Sequence, residues 1–146
     1  MIRVSIVGIA GRMCGRIAHL VQEAEGLVLV GGVEAPGNPV VGKDVGEFSG
    51  SVPTGHHVVD NLESVVAGTD VVVAFTAPPD GTLAAAEVCG ASGKPMVVGT
   101  TGLSDAQLAA FKDSVSKAPC VFAPNYSVGV TVLTKLVEEA ARILGG

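Results

Sequence analysis

The sequence has no tryptophan, one tyrosine and four phenylalanines, so its core must be built from Val, Ala and Leu. Such small side chains suit helices packed closely on strands that are buried on both faces. Its three cysteines, Cys14, Cys89 and Cys120, are far apart and form no C-x-x-C pair, which excludes a disulfide framework and fits reduced thiols. Basic residues are outnumbered nine to fourteen, for a formal charge of -5. They cluster nowhere beyond Arg12 with Arg16, so nucleic acid is not an expected partner. No uninterrupted apolar run reaches the roughly 18 residues of a membrane span, and the N-terminus lacks the order of a secretory leader. No membrane partner and a cytoplasmic location are therefore expected. Metal-ligand spacing is also missing: His56 and His57 are adjacent, which in an extended segment turns them to opposite faces. His19 reads as a helix-edge histidine, and no metal site is expected.

Glycine is plentiful, at 20 of 146 residues, but follows no period of three, which excludes a collagen-like repeat. The glycines instead punctuate an alternation of apolar runs and helical patterns. Ile2 to Val7 reads as a central strand closed by Gly8, followed by a helix from about Arg12 to Ala24 with Ile17, Leu20 and Val21 facing the sheet. Leu27 to Val33 is a second strand ending at Glu34. Two prolines and a glycine make 35–39 irregular, and Gly42 to Gly55 reads as an irregular surface excursion. Val58-Val59 is a brief strand, followed by a short helix begun by Asp60 or Asn61. Val71 to Phe75 is the strongest buried-strand signal. A helix over Gly81 to Ala91 and a strand over Pro95 to Gly99 follow. Ser104 and Gln107 have capping-box spacing and open a helix to about Ser116. Cys120 to Ala123 is the next strand, and Val128 to Leu144 the last helix. This order predicts an α/β, Rossmann-like fold with a mainly parallel sheet and helices on both faces.

In such a sheet, ligands collect beyond the carboxyl ends of the strands, near the point where strand order reverses. Four predicted strand ends carry small or polar residues: Gly8 to Gly11, Phe75 to Pro78, Gly99 to Gly102, and Ala123 to Ser127. The first joins strand directly to helix, where backbone N-H groups and the positive helix end suit a pyrophosphate. It departs from G-x-G-x-x-G, with Ala10 at the second glycine. Gly8 allows the tight turn, Gly11 the close approach to phosphate, and small Cys14 or Gly15 the contact of helix with sheet. Glu34 can accept from both ribose hydroxyls and repel a 2′-phosphate. Ala35 to Gly37 supply no cation, so NADH is the expected preference, with NADPH admissible. Thr76, Thr100 and Thr101 offer hydroxyls for the nicotinamide side, with Gly99 and Gly102 allowing close backbone approach. Asn125 and Ser127 either reach this crevice or cap the last helix. Cys14, at a helix N-terminus, reads as a packing residue. The last helix has a broad apolar face of Val132, Leu133, Leu136, Val137, Ala140 and Leu144, which must dock on this sheet or lead to a further domain.

At these residues the sequence resembles the dihydrodipicolinate reductase (4-hydroxy-tetrahydrodipicolinate reductase) family. Val7-Gly8-Ile9-Ala10-Gly11-Arg12-Met13, Phe75-Thr76-x-Pro78, Val98-Gly99-Thr100-Thr101-Gly102 and Ala123-Pro124-Asn125-Tyr126-Ser127-Val128-Gly129-Val130 carry the resemblance. It implies that Gly8, Gly11, Arg12 and Met13 form the cofactor loop and that Glu34 binds ribose. It further implies that Gly99, Thr100 and Thr101 line the nicotinamide end, with Ala123, Asn125 and Tyr126 near the boundary with a substrate domain, and Phe75 and Thr76 complete the expected cofactor-binding set. Cys14 stands where the family usually has a third glycine, and Ala35 where it often has an arginine.

The resemblance also implies a second domain that binds a cyclic dicarboxylate, donates the proton and forms a homotetramer. Its His-His-x-x-Lys and Ser-Gly-Thr segments are absent from these 146 residues. The expectation is thus a dinucleotide-binding domain over 1–130 and a terminal helix over 131–146 leading to an absent substrate and oligomerisation domain. No catalytic residue is assigned in this chain, and its turnover alone should be negligible. The implied chemistry of the whole enzyme is hydride transfer from the nicotinamide to an imine-like carbon, in lysine and diaminopimelate biosynthesis. The alternative is a dinucleotide sensor or structural Rossmann-like protein without catalysis.

Overall fold

The computed structural model describes residues 1–50 and 52–145. Six strands form one sheet: β1 (Ile2–Val7), β2 (Leu27–Val33), β3 (Val58–Val59), β4 (Val71–Ala74), β5 (Met96–Val98) and β6 (Cys120–Phe122). Their order across the sheet is β3-β2-β1-β4-β5-β6, and every neighbouring pair is parallel. The helices are α1 (Arg12–Glu23), α2 (Glu63–Val66), α3 (Asp80–Ser92), α4 (Asp105–Ser114) and α5 (Val128–Leu144). The chain builds outward through β2 and β3, then crosses back to β4. This reversal leaves a crevice beyond the carboxyl ends of β1 and β4.

Each face of the sheet has its own core. On one, Cys14, Ala18 and Val21 of α1 pack on Val4, Ile6 and Leu29. On the other, Ala85, Ala86 and Cys89 of α3, with Phe111 of α4, pack on Val72, Ala74 and Val98. Both are made of small side chains, so helix and sheet backbones approach closely. At Gly32 of β2, a Cβ would stand 2.8 Å from Ile9 and 3.2 Å from Val45. At the opposite end, Arg3 grips Asp70 with Nε and Nη2 at 3.0 and 2.7 Å, and the buried hydroxyls of Ser5 and Thr69 lie 2.7 Å apart.

The structure revises several sequence expectations. Leu20, expected on the sheet-facing side of α1, is exposed, whereas Val21 is buried as expected, in a stripe with Cys14 and Ala18. The i, i+4, i+7 spacing places these smaller residues inward, with Ile17 only half-buried beside them. The Gly42–Gly55 excursion is ordered around a 3-10 turn at Val45–Phe48, with Val45 and Gly46 buried. Asp44 caps this turn and accepts from the N-H groups of Gly46, Thr54 and Gly55 at 2.7, 2.9 and 2.7 Å. The helix expected to run to Ser116 ends at Ser114 and tightens into a 3-10 turn at Val115–Lys117. The capping box is present: Gln107 Oε1 accepts from Ser104 N at 2.9 Å, and Ser104 Oγ from Gln107 N at 3.3 Å. Helix α5 does not dock on the sheet, and Leu133, Leu136 and Val137 are 59–62% exposed. Among the described residues no helix is long and apolar enough to cross a membrane, and no group of His, Cys, Asp or Glu could hold a metal.

Candidate dinucleotide cleft

Beyond the carboxyl ends of β1, β2 and β4 lies a cleft of about 870 Å³. Its first wall is the β1–α1 loop. Gly8 takes φ +78°, a left-handed conformation in which a side chain would be strained. Gly11 donates to the Gly8 carbonyl at 2.9 Å and serves as N-cap of α1 without a capping side chain. The first N-H groups of the helix therefore have no side-chain acceptor, and the helix end is positive. That arrangement is chemically suited to an anionic diphosphate.

Glu34 stands across this loop at the end of β2. Its Oε1 accepts from Ala10 N at 2.8 Å and its Oε2 from Asn38 Nδ2 at 3.2 Å. Asn38 is itself oriented, since its Oδ1 accepts from Val40 N at 3.1 Å. The carboxylate is thus aimed before any ligand arrives, with lone pairs remaining for further donors. The pairing of Ala10 and Asn38 with Glu34 had no signal in the sequence beyond a Pro-Gly-Asn-Pro turn.

The cleft also takes in Asp60, Asn61 and Glu63 and the start of α3 from Asp80 to Val88. None of these is a cofactor candidate from the sequence, because only the sheet order brings the β3–α2 connection beside β2 and the β4–α3 connection beside β1. Four carboxylates, Glu34, Asp60, Glu63 and Asp80, line it, and among the described residues its lining contains no Lys, Arg or His.

Of the sequence candidates, Gly8, Gly11, Glu34, Phe75 and Thr76 meet in this cleft. Arg12 and Met13 follow on the exposed first turn of α1. Gly99, Thr100, Thr101, Ala123, Asn125 and Tyr126 form an adjoining shelf at the ends of β5 and β6, outside the cleft lining. Phe75 joins the two. A Cβ on Gly99 would overlap the Phe75 ring, and that ring lies 5.5 Å from the Tyr126 ring. The Tyr126 hydroxyl donates to the carbonyls of Val98 and Val121 at 3.0 and 3.3 Å. Gly99 is thus small because a phenyl ring covers it.

The threonines differ from their expected use. Thr100 is buried, and its hydroxyl accepts from Thr76 N at 2.9 Å and pairs with Thr82 at 2.6 Å. It is tied up inside the protein, whereas Thr101 is exposed. Asn125 Oδ1 accepts from Ser127 N at 2.8 Å, and Ser127 Oγ caps α5 by accepting from Val130 N at 3.2 Å. Cys14 Sγ donates to the Val7 carbonyl at 3.3 Å, and burial pushes its thiol up to about 11. It is a packing residue at the helix start, with little thiolate character.

A family model described as dihydrodipicolinate reductase, N-terminus, matches residues 2–126. The 4-hydroxy-tetrahydrodipicolinate reductase of Alkalilimnicola ehrlichii is 46% identical over 143 residues, covering 98% of this chain and 53% of the relative. That of Anaeromyxobacter dehalogenans is 42% identical over 145 residues, covering 99% and 53%. Among solved structures, the dipicolinate-bound dihydrodipicolinate reductase of Paenisporosarcina sp. TG-14 superposes with a TM-score of 0.71 at 29% identity, over 97% of this chain and 54% of the other. The chain thus spans about half the length of the curated relatives it matches.

Proposed function

The chain belongs to the dihydrodipicolinate reductase family, and from that premise we propose that it forms the pyridine-dinucleotide half of a 4-hydroxy-tetrahydrodipicolinate reductase, with NADH preferred over NADPH. The observation that carries this reading is the pairing of the uncapped α1 terminus with Glu34, which accepts from Ala10 N at 2.8 Å across the same cleft. Gly8, Gly11, Arg12 and Met13 would cradle the diphosphate, and Glu34 would accept from the adenosine ribose. Phe75 and Thr76 would carry the cofactor on to Gly99 and Thr101, with Thr100 buried beneath them and Ala123, Asn125 and Tyr126 at the outer edge of that shelf. When bound, the reduced nicotinamide supplies a hydride. The residues of this chain bind and orient the dinucleotide and hold water off one side of it.

Reduction also needs cations for a dicarboxylate and a proton donor. Among the described residues the cleft lining offers no cationic side chain to pair with such a substrate. We assign those roles to a substrate and oligomerisation domain reached through α5, with residues 1–130 as the cofactor-binding unit. The substrate is then a cyclic dicarboxylate and the assembly a homotetramer, in the cytoplasm. This chain alone is expected to turn over substrate negligibly, so sustained substrate-dependent NADH oxidation by it would overturn the assignment.

Cofactor choice follows from charge. A 2′-phosphate beside Glu34 would enter a cleft that also carries Asp60, Glu63 and Asp80, with Ala35 in place of a cation. Calorimetry should find tighter NADH than NADPH, with the gap narrowing as salt screens the repulsion. Tighter NADPH at both low and physiological salt would reject the preference. No uptake of either by the folded chain would reject the cofactor reading.

A further inference from the structure

Three threonines below the cleft form a continuous chain of hydroxyls. Thr76 Oγ1, just past β4, lies 2.8 Å from Thr82 Oγ1 in the first turn of α3, which lies 2.6 Å from Thr100 Oγ1 just past β5. Thr100 Oγ1 also accepts from Thr76 N at 2.9 Å. Each hydroxyl has one proton to donate and two lone pairs.

Burial gives this chain a direction. Thr82 and Thr100 are 0% and 2% exposed, so leaving either proton without an acceptor is costly. Among the described residues, the acceptor that meets the Thr100 proton is Thr82 Oγ1. Thr82 then has Thr76 Oγ1 as its remaining acceptor. Among the described residues, no further acceptor meets the proton of Thr76. Thr76 lines the cleft, its methyl seated where a Cβ on Gly8 or Gly81 would come within 3.1 or 3.4 Å.

We propose that Thr82 and Thr100 are positioning residues that fix Thr76 as a hydrogen-bond donor into the cleft, so that the ligand must present an oxygen acceptor at the end of β4. Resting on the dinucleotide reading, this assigns to Thr76 a diphosphate or ribose oxygen of the cofactor. It also explains a hydroxyl at Thr82, which is fully buried outside the cleft lining, where alanine or valine like its helix neighbours would otherwise suit.

The test is calorimetric titration of NADH into the wild-type chain, Thr76→Val, Thr82→Val, Thr82→Ser and the Thr76→Val/Thr82→Val double variant. Each single valine variant should bind about three- to tenfold more weakly, the range for one neutral hydrogen bond. The double variant should bind no more weakly than Thr76→Val alone. Serine at position 82 should restore what valine loses. Additive losses, an unaffected Thr76→Val, or a Thr82→Ser as weak as Thr82→Val would overturn the proposal. Hydroxyl-proton exchange by NMR tests the direction without ligand: protected protons on Thr82 and Thr100 with a fast-exchanging Thr76 are expected, and the reverse order overturns it even if Thr82→Val does not fold. Absence of NADH uptake by the folded wild type would instead strike the cofactor reading, leaving the exchange measurement to decide the relay.

Discussion

At the scale of single residues, the cleft depends on which polar atoms are already engaged. Glu34 receives donors from Ala10 and Asn38, so a ribose meets a carboxylate already oriented. Replacing it by Gln keeps the size and one acceptor but removes the charge. Glu34→Gln should weaken NADH about tenfold, within the range of a hydrogen bond to a charged group, and should weaken NADPH less, because repulsion of the 2′-phosphate falls. Parallel titrations with both cofactors check this, and equal losses for the two would show that Glu34 does not discriminate between them. Gly99 teaches a different lesson: the Phe75 ring occupies the space its missing side chain leaves. A strand-end glycine in a sequence marks close approach, but the approaching group can belong to the protein itself.

At the scale of elements, the Asp44 carboxylate gathers several backbone donors of the excursion between β2 and β3. Hydrogen bonds from the N-H groups of Thr54, Gly46 and Gly55 hold the Asp44 carboxyl down to about 2 from its ordinary 3.8. Because the folded value lies below the unfolded one, this stabilisation is complete above about pH 4 and is lost as pH falls toward 2. Asp70, lowered chiefly by Arg3, acts in the same direction at the amino-terminal ends of β1 and β4. Asp44→Asn should flatten, without abolishing, the acid dependence of unfolding between pH 4 and 2, as followed by urea denaturation at stepped pH. An unchanged acid limb would show that the excursion is held by other contacts. The sequence made β1, α1, β2, Glu34 and the Ser104–Gln107 cap legible, because each depends on neighbours within a few positions. It hid the 3-10 turn, the place of Ala18 rather than Leu20 on the inward face of α1, and the Thr76-Thr82-Thr100 chain. Those depend on contacts between distant segments: Val45 against Gly32, α1 against β1, and the ends of β4 and β5 against α3. Hydrophobicity placed Leu20 inward, but close packing favoured smaller side chains.

At the scale of the molecule, the sheet and its four inner helices bury two cores, while α5 carries Val132, Leu133, Leu136 and Val137 in solvent. An apolar stripe of this kind on a helix marks a surface that associates. The polar side of α5 is already arranged for water, with Lys135–Glu138 and Arg142–Glu139 ion pairs at 2.8 and 2.5 Å. These exposed pairs contribute little to stability, so they cannot offset the apolar face. The chain on its own should therefore self-associate in a concentration-dependent way, seen by size-exclusion chromatography with light scattering. The double variant Leu133→Ser/Leu136→Ser should be monomeric and should retain NADH binding, because α5 adds no residue to either core or to the cleft lining. A wild-type chain that stays monodisperse and monomeric through high micromolar concentration would show that the stripe does not drive association. Loss of NADH binding in a folded double variant would place α5 within the binding unit, contrary to the division near residue 130.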